Sequence, residues 1–148
     1  MNKTATHPTK KQSSGALHLT KKVDYGITLL AVLAQAKKEE DKKSIKTIAE
    51  EKKMSFSFLQ KVARGLQQAN YIEAERGKYG GYVLKKNPEK LTLKQIIETL
   101  EGPIAIVPCL KNNTCARKEK CNIHTGLKLL NDDILKYLEK RTLKQLIS

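Results

Sequence analysis

The fold is decided by the stretch "SIKTIAEEKKMSFSFLQKVARGLQQANYIEAERGKYGGYVLKK", residues 44–86. Its first part predicts two short helices, because Ser44 and Ser55 are residues that cap helix N-termini and helical apolar spacing follows each of them. A break at Met54 separates the two helices. The apolar stripe expected to be buried on the second helix consists of Leu59, Val62, Ala63 and Leu66. Two short helices joined by such a turn outline a helix-turn-helix.

In the remainder of this stretch, the helical spacing of apolar residues gives way to the alternating pattern of β-strands. Residues 71–75 and 81–85 alternate weakly, are rich in β-forming residues and flank a glycine-rich segment, which predicts a two-stranded hairpin. Arg76 and Lys78 lie at its tip. Two short helices followed by a basic hairpin predict a winged helix-turn-helix.

The charge of the chain favours a polyanionic partner. The 148 residues include 29 basic and 15 acidic side chains, a net charge of +14. Residues 1–22 contain five lysines and no acid, and residues 43–86 contain ten basic and four acidic residues. This distribution favours nucleic acid over a membrane surface, although a lysine-rich, solubilising surface would give a similar composition. No apolar run approaches the ~20 residues of a membrane span, and no signal peptide is recognisable, so a cytoplasmic protein is expected.

The start of the second short helix is where a helix-turn-helix contacts base edges in double-stranded DNA. Phe58 is predicted either to contact a thymine methyl group or to fill the small core, and the same alternatives hold for Phe56. Arg76 of the wing suits a narrow minor groove. The other residues expected to contact bases are Ser55, Ser57, Gln60 and Lys61. The residues expected to contact phosphates are Lys46, Lys52, Lys53, Lys61, Arg64 and Lys78.

Further helices are predicted on both sides of the winged helix. Upstream, Thr20 is predicted to cap a helix. Its buried face is expected to consist of Val23, Ile27, Leu30, Ala31 and Ala34. Downstream, a helix capped by Thr92 is expected to bury Leu93, Ile96, Ile97 and Leu100. Residues 103–120 are expected to form a loop, because prolines and asparagines interrupt them.

A last long helix is predicted from about Asn122 to Lys140. A seam along this helix follows 3-4-3-4 spacing and consists of Leu127, Leu130, Ile134, Tyr137 and Arg141. Such a seam is typical of a coiled coil, and a homodimer is favoured because duplex operators are usually read by two-fold dimers. The alternative is a helix that packs on its own domain.

The segment "PCLKNNTCARKEKCNIH", residues 108–124, holds all three cysteines of the chain and a histidine. Cys109, Cys115 and Cys121 are spaced six residues apart, about 240° out of phase on a helix, so they can converge only through a loop. Cys121 and His124 are three residues apart and can point the same way from a helical turn. An odd number of cysteines without an export signal argues against a disulfide framework.

Four interpretations of this segment compete. The thiols can be buried structural cysteines, redox-active thiols, ligands of a structural zinc or ligands of an iron–sulfur cluster. The sequence around them is too polar for a core, and the tight C-x2-C knuckles usual for structural zinc are absent. Donor chemistry alone does not separate zinc from iron.

Taken together, these segments resemble the Rrf-type winged-helix transcriptional regulators, which include the IscR-like and NsrR-like iron–sulfur regulators. The resemblance covers nearly the whole chain from Leu17 to Ser148. Its matching pieces are "LHLTKKVDYGI", "SFSFLQKVARGLQQANYI", "ERGKYGGYVL", the C-x5-C-x5-C-x2-H spacing and "RTLKQLI". The resemblance implies a homodimer with crossing C-terminal helices and a cluster loop close to the partner's DNA-binding domain.

The resemblance also implies a ligand set. Cys109, Cys115, Cys121 and His124 match the pattern of IscR-like members, which hold a 2Fe-2S cluster. In NsrR-like members an aspartate of the first helix can complete a 4Fe-4S cluster from the other subunit, and Asp24 matches that position. An acid near a helix N-terminus is also favoured without such a role. The 2Fe-2S cluster with His124 is therefore favoured, with a 4Fe-4S cluster or zinc as alternatives.

The sequence thus predicts a mainly α fold with a small β wing, in three parts. Residues 1–16 are expected to be a disordered basic tail, residues 17–90 a winged helix-turn-helix DNA-binding domain, and residues 91–148 a cluster-binding loop and dimerisation helix. The predicted function is a DNA-binding transcriptional regulator that senses iron–sulfur status, oxidants or nitric oxide. No nucleophile–base pair indicates an enzyme. The alternatives are a zinc-stabilised regulator, or an iron–sulfur carrier whose winged helix binds protein.

Overall fold

The computed structural model describes residues 18–38, 41–78, 80–111 and 115–147. The predicted tail at residues 1–16 lies outside the described residues. The helices are α1 Lys21–Gln35, α2 Ile45–Glu51, α3 Phe56–Gln68, α4 Leu93–Glu101, α5 Pro108–Lys111, α6 His124–Lys140 and α7 Leu143–Leu146. The strands β1 Ile72–Glu75 and β2 Gly81–Leu84 form an antiparallel pair between α3 and α4. The part of the chain that the structure describes contains no helix long and apolar enough to cross a bilayer.

The predicted caps of α1, α2 and α4 are confirmed. The side-chain oxygens of Thr20, Ser44 and Thr92 each accept a hydrogen bond from the backbone N–H three residues later. Ser55 occupies the N-cap position of α3 but makes no such side-chain bond, and its own backbone N–H donates to the Tyr25 hydroxyl instead. Local sequence therefore fixes where most of these helices begin, whereas the start of α3 also depends on α1.

A tight turn joins α2 to α3. Lys53 adopts a left-handed conformation with φ of 53°, and the Met54 N–H closes the turn on the Ala49 carbonyl at 2.8 Å. This bond satisfies a carbonyl that the end of α2 would otherwise leave unpaired. Asn70, two residues after the end of α3, adopts a similar conformation, with φ of 61°. The predicted break near Met54 is thus confirmed as a helix-turn-helix turn.

The wing is fixed to the rest of the molecule at its second strand. Ile72 pairs with Leu84 at one end of the hairpin, and Glu75 pairs with Gly81 at the other. A Cβ atom on Gly81 would lie 2.7 Å from the carbonyl oxygen of Lys43 in the connection between α1 and α2. Only glycine permits this close approach of two backbones, so the wing is held beside the first turn of α2.

The buried side chains form one apolar cluster that extends across position 90. It contains residues of α1, α2, α3 and β1, together with residues of α4 and the C-terminal helix α7. Its members from beyond position 90 are Leu91, Ile96, Ile97, Leu100 and Leu143. The predicted DNA-binding domain, residues 17–90, and the predicted cluster-binding and dimerisation part, residues 91–148, therefore share one core. The boundary between them at residue 90 stays a prediction about function.

The predicted buried face of α1 is partly wrong. Leu29 and Leu33 are buried, whereas Ile27, Ala31 and Ala34, which the prediction included, are only half-buried. The helix packs against α3, α4, α7 and β2. A helix enclosed on several sides buries a wider arc than one apolar stripe indicates.

The prediction that residues 103–120 form a continuous loop is also partly wrong. Helix α5 and a short 3₁₀ turn, Lys118–Lys120, lie within this segment. Pro108 is the first residue of α5, where its missing N–H has no helical partner to lose. Asn112 and Asn113 lie outside the described residues.

Hydrogen bonds at two places fix α6 against the rest of the chain. Near its middle, the buried Asn131 side chain accepts a hydrogen bond from the Ile106 N–H at 3.0 Å. At its end, the N–H of Leu93 donates to the Arg141 carbonyl at 2.7 Å, and the N–H of Leu143 donates to the Leu91 carbonyl at 2.8 Å. The short helix α7, which the sequence did not predict, is thereby joined to the start of α4.

Candidate nucleic-acid interface and metal-ligand segment

Helix α3 presents a polar stripe on the side opposite its buried leucines. Ser57, Gln60, Lys61 and Arg64 follow the spacing i, i+3, i+4, i+7, and all of them are exposed. The predicted apolar stripe of this helix is buried in full. The sequence therefore separates the two faces of α3 correctly, and the exposed face carries hydrogen-bonding and basic side chains.

The first turn of α3 contains the remaining predicted base-contact residues. The hydroxyl groups of Ser55 and Ser57 lie 3.3 Å apart, within hydrogen-bonding distance of each other. Phe56 is 45% exposed, whereas Phe58 is half-buried and packs edge-on against Tyr25, with ring centroids 5.1 Å apart. The geometry of Phe58 is that of a packing residue at the edge of the core, and its contact with DNA stays a prediction.

The wing tip carries the predicted basic residues at the surface. Arg76 and Lys78 are both exposed. Gly77 has φ of 126°, a conformation that favours glycine, and its carbonyl accepts the Gly80 N–H at 2.9 Å, which tightens the tip. The exposed lysines predicted to contact phosphates on α2 and its turn are Lys46, Lys52 and Lys53.

A cleft lies between α3 and the wing. Its volume is about 380 Å³, and Phe56 and Gln60 line one side. Glu75, Gly80 and Gly81 line the other. Helix α3 and the wing therefore flank a common recess.

Helix α6 and its N-cap residue Ile123 present a row of exposed apolar side chains. Ile123, Leu130 and Tyr137 are spaced seven residues apart and are 63%, 51% and 56% exposed. Seven residues are nearly two helical turns, so these side chains lie along one line. Of the predicted seam, Leu127 and Ile134 are half-buried. The Arg141 guanidinium stacks on the Tyr137 ring at 4.8 Å.

The candidate ligands lie in two short turns and at the start of α6. Cys109 belongs to α5, His124 is the first residue of α6, and the three thiols are free and half-buried. Consecutive backbone bonds tie Cys115 to Cys121 through Lys118, at 3.1 and 3.4 Å, and a further bond of 3.5 Å joins the His124 N–H to the Cys121 carbonyl. The segment after Cys115 thus leads directly into α6.

The donor set fits a soft metal centre, but the described residues do not assemble one. Three thiols and an imidazole within one short segment are ligands that suit zinc or iron–sulfur clusters. Among residues 18–38, 41–78, 80–111 and 115–147, no group of three or more potential ligands lies close enough to hold a metal ion. Asp24 is exposed in the first turn of α1. Convergence of the predicted ligands therefore stays a prediction.

Comparison with known proteins identifies the family. The model of the Rrf2 family, described as iron-dependent transcriptional regulators, matches residues 19–148. The chain belongs to the Rrf2 family. Its winged helix-turn-helix and its predicted family resemblance are thereby confirmed.

Relatives of the chain include several named regulators. It is 36% identical over 103 residues to the HTH-type transcriptional regulator CymR of Bacillus subtilis, covering 70% of this chain and 74% of the relative. It is 34% identical over 137 residues to the regulator NsrR of the same organism, covering 88% and 90%.

Solved structures agree with the same fold. The structure of CymR, the global cysteine regulator of B. subtilis, matches with a TM-score of 0.70, covering 88% of this chain and 96% of that one. The structure of T. potens IscR matches with a TM-score of 0.68 and 27% identity, covering 88% and 86%. The chain is thus a DNA-binding transcriptional regulator, of a family whose members are not enzymes.

Sequence reasoning missed three residues that shape these surfaces. Ile123 continues the heptad of Leu130 and Tyr137, and its spacing was a usable signal. Asn131 and Tyr25 gave no periodic signal, because their roles depend on the partners that the fold brings to them.

Proposed function

We propose that this regulator binds its operator as a homodimer, through the polar face of α3 and the wing, and that its cysteine segment holds an iron–sulfur cluster that sets operator affinity. The observation that carries the proposal is the exposed stripe on α3, flanked by the basic wing tip. A buried apolar stripe on the same helix fixes this face outward.

The chemistry of the stripe suits the major groove. The hydroxyl of Ser57 and the amide of Gln60 can donate and accept hydrogen bonds at base edges. Lys61 and Arg64 lie on the same face and supply cations for phosphates. Arg76 at the wing tip suits an adjacent minor groove, where narrow A·T-rich tracts attract guanidinium groups.

The dimer is supported by the apolar row on α6. Large exposed apolar side chains arranged along one line are typical of a surface that another protein covers. A second copy of α6 would cover the Ile123, Leu130 and Tyr137 row in an isologous contact. Such a dimer presents two copies of α3 to the two halves of an operator.

The proposed ligands of the cluster are Cys109, Cys115, Cys121 and His124, with Asp24 as the alternative fourth ligand and zinc as the alternative metal. When bound, a cluster supplies a redox-sensitive centre that oxidants or nitric oxide can alter. The segment that carries the proposed ligands is connected to the rest of the molecule through α6. The segment that carries the ligands leads into α6, and the Ile106–Asn131 hydrogen bond holds the preceding loop on that helix.

A rearrangement of this segment is therefore expected to change how α6 and the DNA-binding elements sit together. A coupling of about 1–3 kcal/mol, typical of allostery, shifts operator affinity about 5- to 150-fold. The test is anaerobic purification, followed by a visible spectrum, by iron, sulfide and zinc counts, and by operator binding with and without the bound metal. A colourless protein with one zinc would contradict the sensing half of the proposal, and unchanged operator affinity would contradict the coupling.

The fourth ligand is tested by a matched pair of variants. His124→Ala is expected to lose or shift the visible spectrum of the anaerobically purified protein, because it removes one of the four proposed ligands. Asp24→Ala is expected to retain it. The opposite result, with colour lost only in Asp24→Ala, would assign the cluster to the aspartate-ligated class.

Arg76→Ala tests the wing. Because it removes a cation from the wing tip, operator affinity is expected to fall about 5- to 30-fold, and the slope of log affinity against log salt to decrease by about 1. Gel shifts at two salt concentrations measure both quantities. Lys136→Ala is the control, since it removes an exposed cation from α6, which is not among the elements proposed to contact DNA. Equal affinities for the two variants would rule out the minor-groove role.

A further inference from the structure

Tyr25 of helix α1 contacts the start of the recognition helix α3. Its hydroxyl accepts a hydrogen bond from the Ser55 backbone N–H at 3.0 Å, across 30 residues of sequence. The tyrosine side chain is otherwise buried, with only 8% of the residue exposed. The predicted roles of α1 residues do not include this contact.

The contact replaces a missing local bond. Ser55 is the N-cap residue of α3, yet its side chain makes no capping hydrogen bond, and its hydroxyl lies beside that of Ser57 instead. The hydroxyls of the N-terminal turn thus remain on the outer face of the helix. The Tyr25 hydroxyl links α1 to this turn through the Ser55 backbone N–H.

The tyrosine ring is itself held in a fixed orientation. Phe58, in the first turn of α3, packs against it at an interplanar angle of 84°. The Lys21 ammonium lies 5.4 Å from the centroids of both rings. A ring with packed neighbours and a bonded hydroxyl has little rotational freedom, so it can determine where the first turn of α3 lies.

We propose that Tyr25 is a positioning residue for sequence discrimination, and that its hydroxyl sets the placement of the Ser55–Ser57 turn against the base edges. The inference rests on the proposed role of α3 in reading the operator. Hydrogen bonds to base edges require defined distances and angles, whereas flexible lysine and arginine side chains follow the phosphates over a wider range of helix positions. Loss of the hydroxyl therefore acts on specific binding, and leaves non-specific binding in place.

The test uses Tyr25→Phe, which removes the hydroxyl and keeps the ring against Phe58. The operator is a duplex selected from a random pool by the wild-type protein, and the competitor is a scrambled duplex of equal length. Operator affinity is expected to fall about 5- to 10-fold, within the range that one good base contact contributes. Affinity for the scrambled duplex and its salt dependence are expected to remain unchanged, because the phosphate contacts are intact.

Tyr71→Phe is the matched control. The Tyr71 hydroxyl is also engaged, accepting from Thr99 at 2.9 Å and donating to the Gln95 carbonyl at 3.3 Å, but its contacts are with α4. Thermal melting reports the stability lost by each variant. If both variants keep the wild-type ratio of operator to scrambled affinity, the positioning role of Tyr25 is wrong. If the wild-type protein itself selects no preferred duplex, the proposed function fails first, and this inference fails with it.

Discussion

Leu130→Lys is expected to dissociate the regulator into monomers and to weaken operator binding by about 100-fold or more. Leu130 lies at the centre of the exposed row on α6, between Ile123 and Tyr137. A lysine there would place a charge in the middle of the proposed apolar interface, where taking it out of water is costly. The few hot-spot residues that cluster near the centre of an interface cost about 2 kcal/mol or more when they are truncated. A monomer contacts only one half of an operator, so operator affinity falls with the dimer.

The variant also adds a positive charge, which by itself would favour DNA binding. A loss of operator affinity would therefore run against the electrostatic effect of the added charge. It would indicate that the dimer has been lost. Analytical ultracentrifugation measures the oligomeric state, and gel shifts measure the affinity. Leu129→Lys is the control, because Leu129 is 62% exposed on the same helix but lies about 100° from the row. A Leu130→Lys protein that remains a dimer would show that this row is not the interface.

The elements of the winged helix were predictable because their signals are local. The threonine or serine caps of α1, α2 and α4 bond to N–H groups three residues away, so sequence neighbours determine them. The two faces of α3 follow from one apolar stripe. The hairpin follows from β-forming residues on both sides of a glycine-rich tip, with strand ends within one residue of the prediction.

The parts that sequence reasoning missed depend on contacts between distant segments. The arc that α1 buries is set by four neighbouring elements, which no single periodicity encodes. The contact from Tyr25 to Ser55 crosses 30 residues. The ligand segment illustrates the same limit. Its cysteine and histidine donors are evident from the sequence, but their convergence depends on the fold of the loop, which residue spacing does not determine.

The C-terminal residues show how a repeated local signal produces a tertiary contact. The tetrapeptide Thr-Leu-Lys-Gln occurs at 92–95 and again at 142–145, and both copies form a capping box between their threonine and glutamine. An isolated antiparallel bridge pairs Thr92 with Thr142. Each copy therefore starts a helix at the place where the two segments meet, and Leu143 of α7 joins the apolar core that α1, α3 and α4 share.

Leu143→Ala is accordingly expected to destabilise the whole regulator. Leu143 is fully buried, with 0% exposed, in the core formed by α1, α3 and α4. Truncating a buried leucine costs about 2–5 kcal/mol, because the apolar contacts are lost and a cavity is left. For a chain of this size, the melting temperature is expected to fall by about 2–4 °C for each kcal/mol. Thermal melts at one fixed protein concentration measure the change, since dimerisation makes melting depend on concentration.

Leu146→Ala supplies the control, because Leu146 is 46% exposed in the same short helix. The expected change for this exposed side chain is within about 0.5 kcal/mol. If both variants melt like the wild-type protein, α7 does not dock on the DNA-binding domain in solution. A large loss confined to Leu143→Ala would mean that α6 is fastened at its C-terminal end to the core that carries α3. Each α6 would then connect the dimer contact to the α3 helix of its own protomer. The distance between the two α3 helices of a dimer would therefore be determined by α6.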